Sequence, residues 1–171
     1  MITMIAAVST NGILGVDGKI PWMGKYSADM KRFKSLTSGG TVIMGTKTWH
    51  SIGGKPLPNR TNMIISASLN ECDLPAGASI HNRPQRAMIA SKYTDPTKNI
   101  WVIGGASIYL QSMSLVDYID LTIIPEYVEA YHTHDIVRFP WINPNKFELE
   151  SKLDGEQGLI HLKYRALDKI G

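Results

Sequence analysis

Cysteine is nearly absent from this sequence: Cys72 is the only one in 171 residues. A disulfide within the chain is therefore impossible, and zinc sites built on paired cysteines are excluded. Such usage fits a reducing compartment, so the cytoplasm is the expected location. Long apolar runs are missing too. The longest near the start, residues 4–8, has no basic stretch before it and is far too short for a membrane span or a signal peptide. Nor is charge of one sign concentrated anywhere. Lys and Arg number 18 against 15 Asp and Glu, a formal net charge of +3 spread along the chain. That mild excess suits an anionic small molecule and argues against nucleic acid, whose binders carry a basic stripe.

Hydrophobic residues make up 43% of the chain and charged residues 19%, which excludes intrinsic disorder. The length fits one domain over residues 1–171, able to bury about 70% of its unfolded surface without disulfides or metals. Residues 1–8 read as a buried strand that breaks at Asn11-Gly12. Residues 11–24 hold Gly12, Gly15, Gly18, Pro21 and Gly24, too many breakers for a regular element, and read as a long functional loop. Ser27 opens a helix to about Thr37, with Met30, Phe33, Lys34 and Leu36 carrying its 3–4 spacing. Further strands are expected at 41–44, 62–66, around Ile80, at 100–103, 118–124, 146–153 and 159–167. Helices are expected through Trp49, over 84–92 and through Ile108. Alternating strands and helices predict an α/β fold, a mostly parallel central sheet flanked by helices, closed by a C-terminal antiparallel hairpin.

Ligands of such sheets bind beyond the carboxyl ends of the strands. Two glycine-bearing strand-to-helix junctions lie there, Gly45-Thr46-Lys47-Thr48 and Gly104-Gly105-Ala106-Ser107. They are either ordinary tight turns or a clamp for a pyrophosphate, since glycine lets backbone N–H groups approach a phosphate closely. Neither matches the dinucleotide fingerprint or the Walker A pattern. Asp29 lies in the first turn of an otherwise basic helix. Its carboxylate either complements the helix dipole or faces a cleft lined by Ile5, Met30, Phe33 and Ile52, where it would recognise a protonated, nitrogen-rich ring. Arg60 follows the rigid turn Pro56-Leu57-Pro58-Asn59, which suits either bidentate capture of a carboxylate or a surface ion pair. Trp22 reads as core. His132, His134 and Asp135 resemble a metal cluster but have no second group of ligands, so a solvated loop is the reading and no metal is expected. No Gly-x-Ser-x-Gly elbow occurs.

In order and spacing, these pieces resemble the dihydrofolate reductase family. The resemblance is carried by Ile5-Ala6-Ala7, Ile13-Leu14-Gly15 and Ile20-Pro21-Trp22, then Ala28-Asp29-Met30 with Phe33-Lys34. Val42-Ile43-Met44-Gly45 with Thr48-Trp49 and Ser51-Ile52-Gly53 follow. Pro56-Leu57-Pro58 with Arg60-Thr61-Asn62, and Val102-Ile103-Gly104-Gly105 with Ile108-Tyr109, complete the set. The match is close from Met1 to about Thr122 and loose beyond.

The resemblance implies reduction of 7,8-dihydrofolate to tetrahydrofolate with NADPH by a monomer, with antifolate inhibitors as further ligands. Asp29 would bond the 2-amino group and N3 side of the pterin and favour a proton at N5, delivered by a water near Trp22. Thr122 would support Asp29, and Tyr109 would touch both reacting rings. Ile5 and Ile103 carbonyls would ring the pterin beside Ala6 and Met30. Phe33, Ile52 and Leu57 would grip the benzoyl portion, and Arg60 would take the glutamate α-carboxylate. Ala7, Ile13, Gly15 and Ile20 would border the nicotinamide, and the loop through Ile20 would act as a lid. Gly45, Thr46, Lys47, Thr48, Gly104, Gly105, Ala106, Ser107 and Ile108 would hold the pyrophosphate region.

The chain also departs from the family pattern. Thr46 stands where members often place the arginine that reads the NADPH 2′-phosphate, so that duty is expected of Arg83, with Ser66 and Lys47 assisting. Ala67 lacks a hydroxyl often present there. The stretch through Gly24-Lys25-Tyr26 is two residues longer. The usual Gly-Asp before Phe139-Pro140 is missing, and Asp135 only approximates the acid that latches the lid. Two rivals are a pterin- or pyrimidine-reducing enzyme on a similar scaffold, such as the riboflavin-pathway reductases, and a non-catalytic folate or nucleotide binder. Pro21-Trp22, Asp29 and Arg60 argue against the first; Asp29, Gly104-Gly105 and Thr122 argue against the second.

Overall fold

Short apolar, β-branched runs punctuated by glycine turns set the strands of this protein. The computed structural model describes residues 1–129, 131 and 135–167. Among them the order is β1 (Ile2–Ser9), β2 (Ile13–Val16), α1 (Ser27–Thr37), β3 (Thr41–Gly45), α2 (Thr46–Ser51), β4 (Thr61–Ile65), β5 (Ala78–His81) and α3 (Pro84–Thr94). β6 (Ile100–Gly104), α4 (Ala106–Ser112), β7 (Tyr118–Ile124), β8 (Ile136–Arg138), β9 (Phe147–Asp154) and β10 (Ile160–Ala166) follow. Eight strands hydrogen-bond in the order β5-β4-β3-β6-β1-β7-β10-β9, while β2 and β8 form a separate two-stranded sheet. β5, β4, β3, β6 and β1 run parallel; β7, β10 and β9 are antiparallel. The expected mixed α/β sheet with a closing hairpin is what forms.

The chain divides into two compact units, residues 1–4 with 36–116 and residues 5–35 with 117 onward. In the first, β3 (Thr-Val-Ile-Met-Gly) is buried at every position, as a central parallel strand covered on both faces must be. α3 begins with Pro84, whose missing N–H is harmless at that place. Its Ser91 hydroxyl meets the Thr41 hydroxyl of β3 at 2.8 Å in the interior.

In the second unit, Trp22, Ile124 and Leu159 form a buried cluster against Ala7, Tyr26, Ala28 and Val128. The outer strand β9 is exposed at most positions. It carries Glu148 and Glu150 paired with Arg165 and Lys163 of β10, charges that keep an edge strand from recruiting other chains.

One expectation is corrected. Residues 11–24 are not without regular structure, because β2 lies inside them and pairs with β8 more than a hundred residues later. The breakers there build a hairpin instead of abolishing the strand. Asp17 and Gly18 both take positive φ (50° and 74°), and Val16 and Lys19 exchange backbone hydrogen bonds of 2.9 and 3.0 Å. Asp-Gly is the pair that two successive positive φ values favour.

Candidate active site

The first turn of α1 presents Asp29. The backbone N–H of Ala28 is taken by the Gln157 side chain at 2.8 Å, so the helix start is capped from the β9–β10 turn. Asp29 is half-buried and its carboxyl is hydrogen-bonded by Thr122, itself 2% exposed on β7. Burial is the largest influence and pushes the carboxyl above its ordinary value, and Asp120 adds to the rise. The Thr122 bond, His161 and Arg32 oppose this without cancelling it. Trp22 is 5% exposed and packs beside Ala28, the residue before the acid.

One helical turn beyond Asp29, Arg32 forms a fork-to-fork pair with Asp120 of β7, at 2.7 and 2.8 Å. His161 of β10 stands directly opposite Thr122 across the β7–β10 pairing. Its Nδ1 is 3.1 Å from the Thr122 hydroxyl. Phe33 is half-buried, whereas Met30, expected on the apolar face, is 61% exposed. Ile5 and Ala6 are buried in β1, and Ala7 packs on the Trp22 cluster.

In the other unit, the turn before β4 is held by Asn62, which is 1% exposed. Its amide accepts from Leu57 N at 2.9 Å and donates to the carbonyls of Leu57 and Arg60, both at 3.0 Å. Arg60 is thereby presented with Nη1 on Thr37 Oγ1 (2.9 Å) and Nε on the Pro58 carbonyl (3.0 Å). Burial lowers the proton affinity of its guanidinium. Ile52 closes the C-terminal end of α2 and is half-buried, as are Leu57 and Ile103.

The same unit brings the two glycine junctions together. Gly45 and Gly105 precede α2 and α4, and neither helix start has a side-chain cap. A Cβ at Gly45 would lie 2.9 Å from Ile108 Cγ1 and 3.7 Å from the Gly105 nitrogen. Gly104 has φ +126°, open in practice only to glycine, and a Cβ there would meet Tyr109 Oη at 3.2 Å and Thr48 Oγ1 at 3.3 Å. The Gly104-Gly105 peptide is cis. Burial raises the Tyr109 phenol well above its usual range. Thr46 Oγ1 donates to the Ile65 carbonyl at 3.4 Å. Lys47, Ser107, Ala67 and Arg83 are exposed, and Ala106 is half-buried. Ser66 Oγ accepts the backbone N–H groups of Ser68 and Leu69 at 3.1 and 3.0 Å, which holds the turn it begins.

The 11–24 segment is anchored within the second unit. Ile13 is fully buried in β2, while Ile20 is 42% exposed. A Cβ at Gly15 would stand 3.0 Å from the Lys19 carbonyl. Asp17 donates its N–H to the Asp135 carbonyl (2.9 Å), and its carboxylate accepts the Asp135 N–H (2.8 Å). The link therefore uses the main chain at position 135, with the side-chain acid at 17. The longer stretch after Trp22 is tied by Lys25 Nζ and Tyr26 Oη to Glu126, at 3.2 and 3.0 Å. His132 and His134 lie outside the described residues. Among the described residues no cluster of three His, Cys, Asp or Glu is placed to hold a metal, and no helix is long and apolar enough to cross a membrane.

The family model described as dihydrofolate reductase matches residues 1–166. The chain belongs to the dihydrofolate reductase family. It is accordingly an oxidoreductase that reduces 7,8-dihydrofolate to tetrahydrofolate, with NADPH as cofactor. The dihydrofolate reductase of Mycobacterium leprae is 34% identical over 142 residues, covering 82% of this chain and 81% of the relative. Dihydrofolate reductase HdrB of Haloferax volcanii is 32% identical over 167 residues, covering 94% and 81%. The structure of dihydrofolate reductase from Enterococcus faecalis complexed with NADP(H) and RAB-propyl has the same fold, with a TM-score of 0.81. It is 24% identical, and the match covers 98% of this chain and 97% of that one.

Arg32, Asp120 and His161 were not anticipated from the sequence, and Asn62 entered there only within the Arg60-Thr61-Asn62 block. Asp120 carried a signal, because a lone acid inside the apolar run of β7 must be paired to be buried. Arg32, three residues after Asp29, was the partner within reach of the same helix face. His161 and Asn62 gave no local sign.

Proposed function

We propose that Asp29 is the acid of this dihydrofolate reductase, holding the 2-amino group and N3 side of the pterin and favouring protonation at N5. The observation that carries this reading is the half-buried carboxyl, raised by burial and hydrogen-bonded by Thr122. An acid so placed keeps affinity for a proton and interacts strongly with a cationic ring, since little water screens it. Thr122 orients the carboxyl, and Trp22, rigid in its apolar cluster, holds the water that carries the proton to N5. Ile5 and Ile103 present carbonyls to the pterin beside Ala6 and Met30. Phe33, Ile52 and Leu57 hold the benzoyl portion, and Tyr109 touches both reacting rings. Arg60, pre-aimed by its bonds to Thr37 and Pro58, takes the α-carboxylate of the glutamate. Antifolates that present the same nitrogen-rich edge bind to Asp29 in the same way.

The residues present fit NADPH. Two uncapped helix starts lie side by side, where a Cβ at Gly45 would collide with Ile108. Such bare backbone suits close approach by phosphate. Gly45, Thr46, Lys47, Thr48, Gly104, Gly105, Ala106, Ser107 and Ile108 hold the pyrophosphate region, and Ala7, Ile13, Gly15 and Ile20 border the nicotinamide. Arg83, with Ser66, Ala67 and Lys47 nearby in role, reads the 2′-phosphate in place of an arginine at Thr46. Bound NADPH supplies the hydride that C6 receives. Residues 1–171 act as one catalytic domain, monomeric and cytoplasmic.

The test is loss of NADPH absorbance with dihydrofolate, beside NADH and Asp29→Asn. Turnover with NADPH should fall about 100-fold or more in the variant, the scale of general acid catalysis. A variant keeping more than a tenth of the activity would overturn the role of Asp29. Preference for NADH would overturn that of Arg83.

A further inference from the structure

Behind Asp29 and Thr122 stands a residue that the reaction as described does not use. We propose that His161 is a positioning residue for Asp29, acting through the hydroxyl of Thr122. This rests on the role of Asp29 proposed above.

The argument begins with proton counting. Thr122 has one hydroxyl proton and is hydrogen-bonded both to the Asp29 carboxyl and to His161 Nδ1. An ionised carboxylate only accepts, so the proton of Thr122 points to Asp29. Its oxygen must then accept from His161, which requires the proton on Nδ1. If Asp29 takes up a proton, its O–H can donate to Thr122, whose own proton then turns toward an Nδ1 that is already occupied. His161 in the Nδ1–H form therefore holds Thr122 as a donor to Asp29 and favours the ionised acid.

The surroundings fix the imidazole in that place. Thr122 and His161 are direct cross-strand partners, so their side chains share one face of the sheet. On the far edge of the ring, a Cβ at Gly155 would stand 2.5 Å from Nε2 and 3.0 Å from Cδ2. The imidazole lies against bare backbone there, and any larger residue at 155 would push it off Thr122. The charged groups acting on it are Asp29 and Arg32 of α1 and Asp120 of β7. Its partner on β9 is the uncharged Leu153. Burial and Arg32 disfavour the imidazolium, against the pull of Asp120 and Asp29, and the net effect lowers its proton affinity. At neutral pH His161 is thus an uncharged donor. On acidification it gains a proton and its charge opposes protonation of Asp29, so the two titrate as a coupled pair.

The experiment follows the hydride-transfer step in single turnovers across pH, with the full chain, NADPH and dihydrofolate. His161→Leu removes both the donor and the charge, so the midpoint of the profile should move to higher pH. His161→Asn, whose amide N–H replaces Nδ1–H, should restore the wild-type midpoint on the neutral side. Gly155→Ala, which displaces the imidazole without removing any polar side chain, should move the midpoint in the same direction as His161→Leu. With Thr122→Val as background, the leucine substitution should move the midpoint less than it does alone, because only the charge of His161 is then left to lose. Profiles of His161→Leu and Gly155→Ala that coincide with wild type would overturn the proposal and leave His161 as packing alone. Should His161→Leu not fold, nitrogen-edited NMR of the wild-type imidazole decides. The Nδ1–H tautomer at neutral pH is required, and an Nε2–H tautomer would overturn it. Failure of the Asp29 reading shows separately, as retained turnover in Asp29→Asn.

Discussion

Replacing Arg32 by Met should destabilise the enzyme more than replacing Asp120 by Asn, although both break the same ion pair. The Arg32 side chain is 27% exposed and that of Asp120 only 9%. Asp120 sits between Ile119, fully buried, and Leu121, 7% exposed. Without Arg32 its carboxylate is left in an apolar strand with no cation bonded to it. Stranding one member of a buried pair costs about 3–5 kcal/mol, most of it the desolvation of the remaining charge. In Asp120→Asn the guanidinium turns to solvent through its exposed side and keeps the amide oxygen as an acceptor. That variant should lose about 1–1.5 kcal/mol, the net worth of an ordinary hydrogen bond. The gap of about 1.5 kcal/mol or more is readable by urea unfolding at pH 7 with the slope held in common. In thermal scans Arg32→Met should melt roughly 6–20 °C lower, at about 2–4 °C per kcal/mol for a chain of this size. Equal losses in the two variants, or a loss under 1 kcal/mol for Arg32→Met, would refute the claim that burial of Asp120 sets the cost.

Asp29 should make the opposite kind of contribution. Its folded carboxyl is raised above the ordinary 3.8, so the native state keeps its proton to higher pH than the unfolded chain does. Stability from this group therefore falls as pH rises through that window, and ionised Asp29 is a net burden at pH 7. Asp29→Asn should be more stable than wild type at pH 7, on the order of 1 kcal/mol, with the gain vanishing below the ordinary carboxylate range; unchanged urea midpoints at both pH values would contradict this. Gly45→Ala places a methyl 2.9 Å from Ile108 Cγ1. It should destabilise by about 1–3 kcal/mol through overpacking and raise the KM for NADPH more than that for dihydrofolate. A KM split in the other direction would place the glycine junctions away from the cofactor.

What the sequence disclosed and what it withheld divide along the distance between partners. β3, β6 and β7 were legible because each is a short run of β-branched residues ended by glycine or proline, a local property. Asp29 was legible because a helix start and one acid suffice to place it. β2 was not. Its four residues, Ile-Leu-Gly-Val, lie among breakers, and its partner β8 is more than a hundred residues away. The ring of polar groups around Asp29 was hidden for the same reason. Arg32 meets Asp120 across 88 residues and Thr122 meets His161 across 39, and no local pattern encodes either meeting. Gly155 lies in the β9–β10 turn at a φ of −109°, which any residue can adopt. Only the position of His161 shows that the side chain is absent there for want of room.

β10 is inserted between β7 and β9, yet it is synthesised after both. Thr122 is made 39 residues before His161, a delay of about 2–8 s at about 5–20 residues per second. Through that interval β7 has an open edge where β10 will pair, and Asp29 has its threonine but not the histidine behind it. A growing chain thus displays a strand bearing Asp120 and Thr122 to whatever else is in the cell. Asp29 and Arg32 of α1 are already made by then, whereas His161 arrives only with β10. Products truncated before residue 160 would lack β10 and keep the β7 edge open, and so would be stickier than chains that carry it.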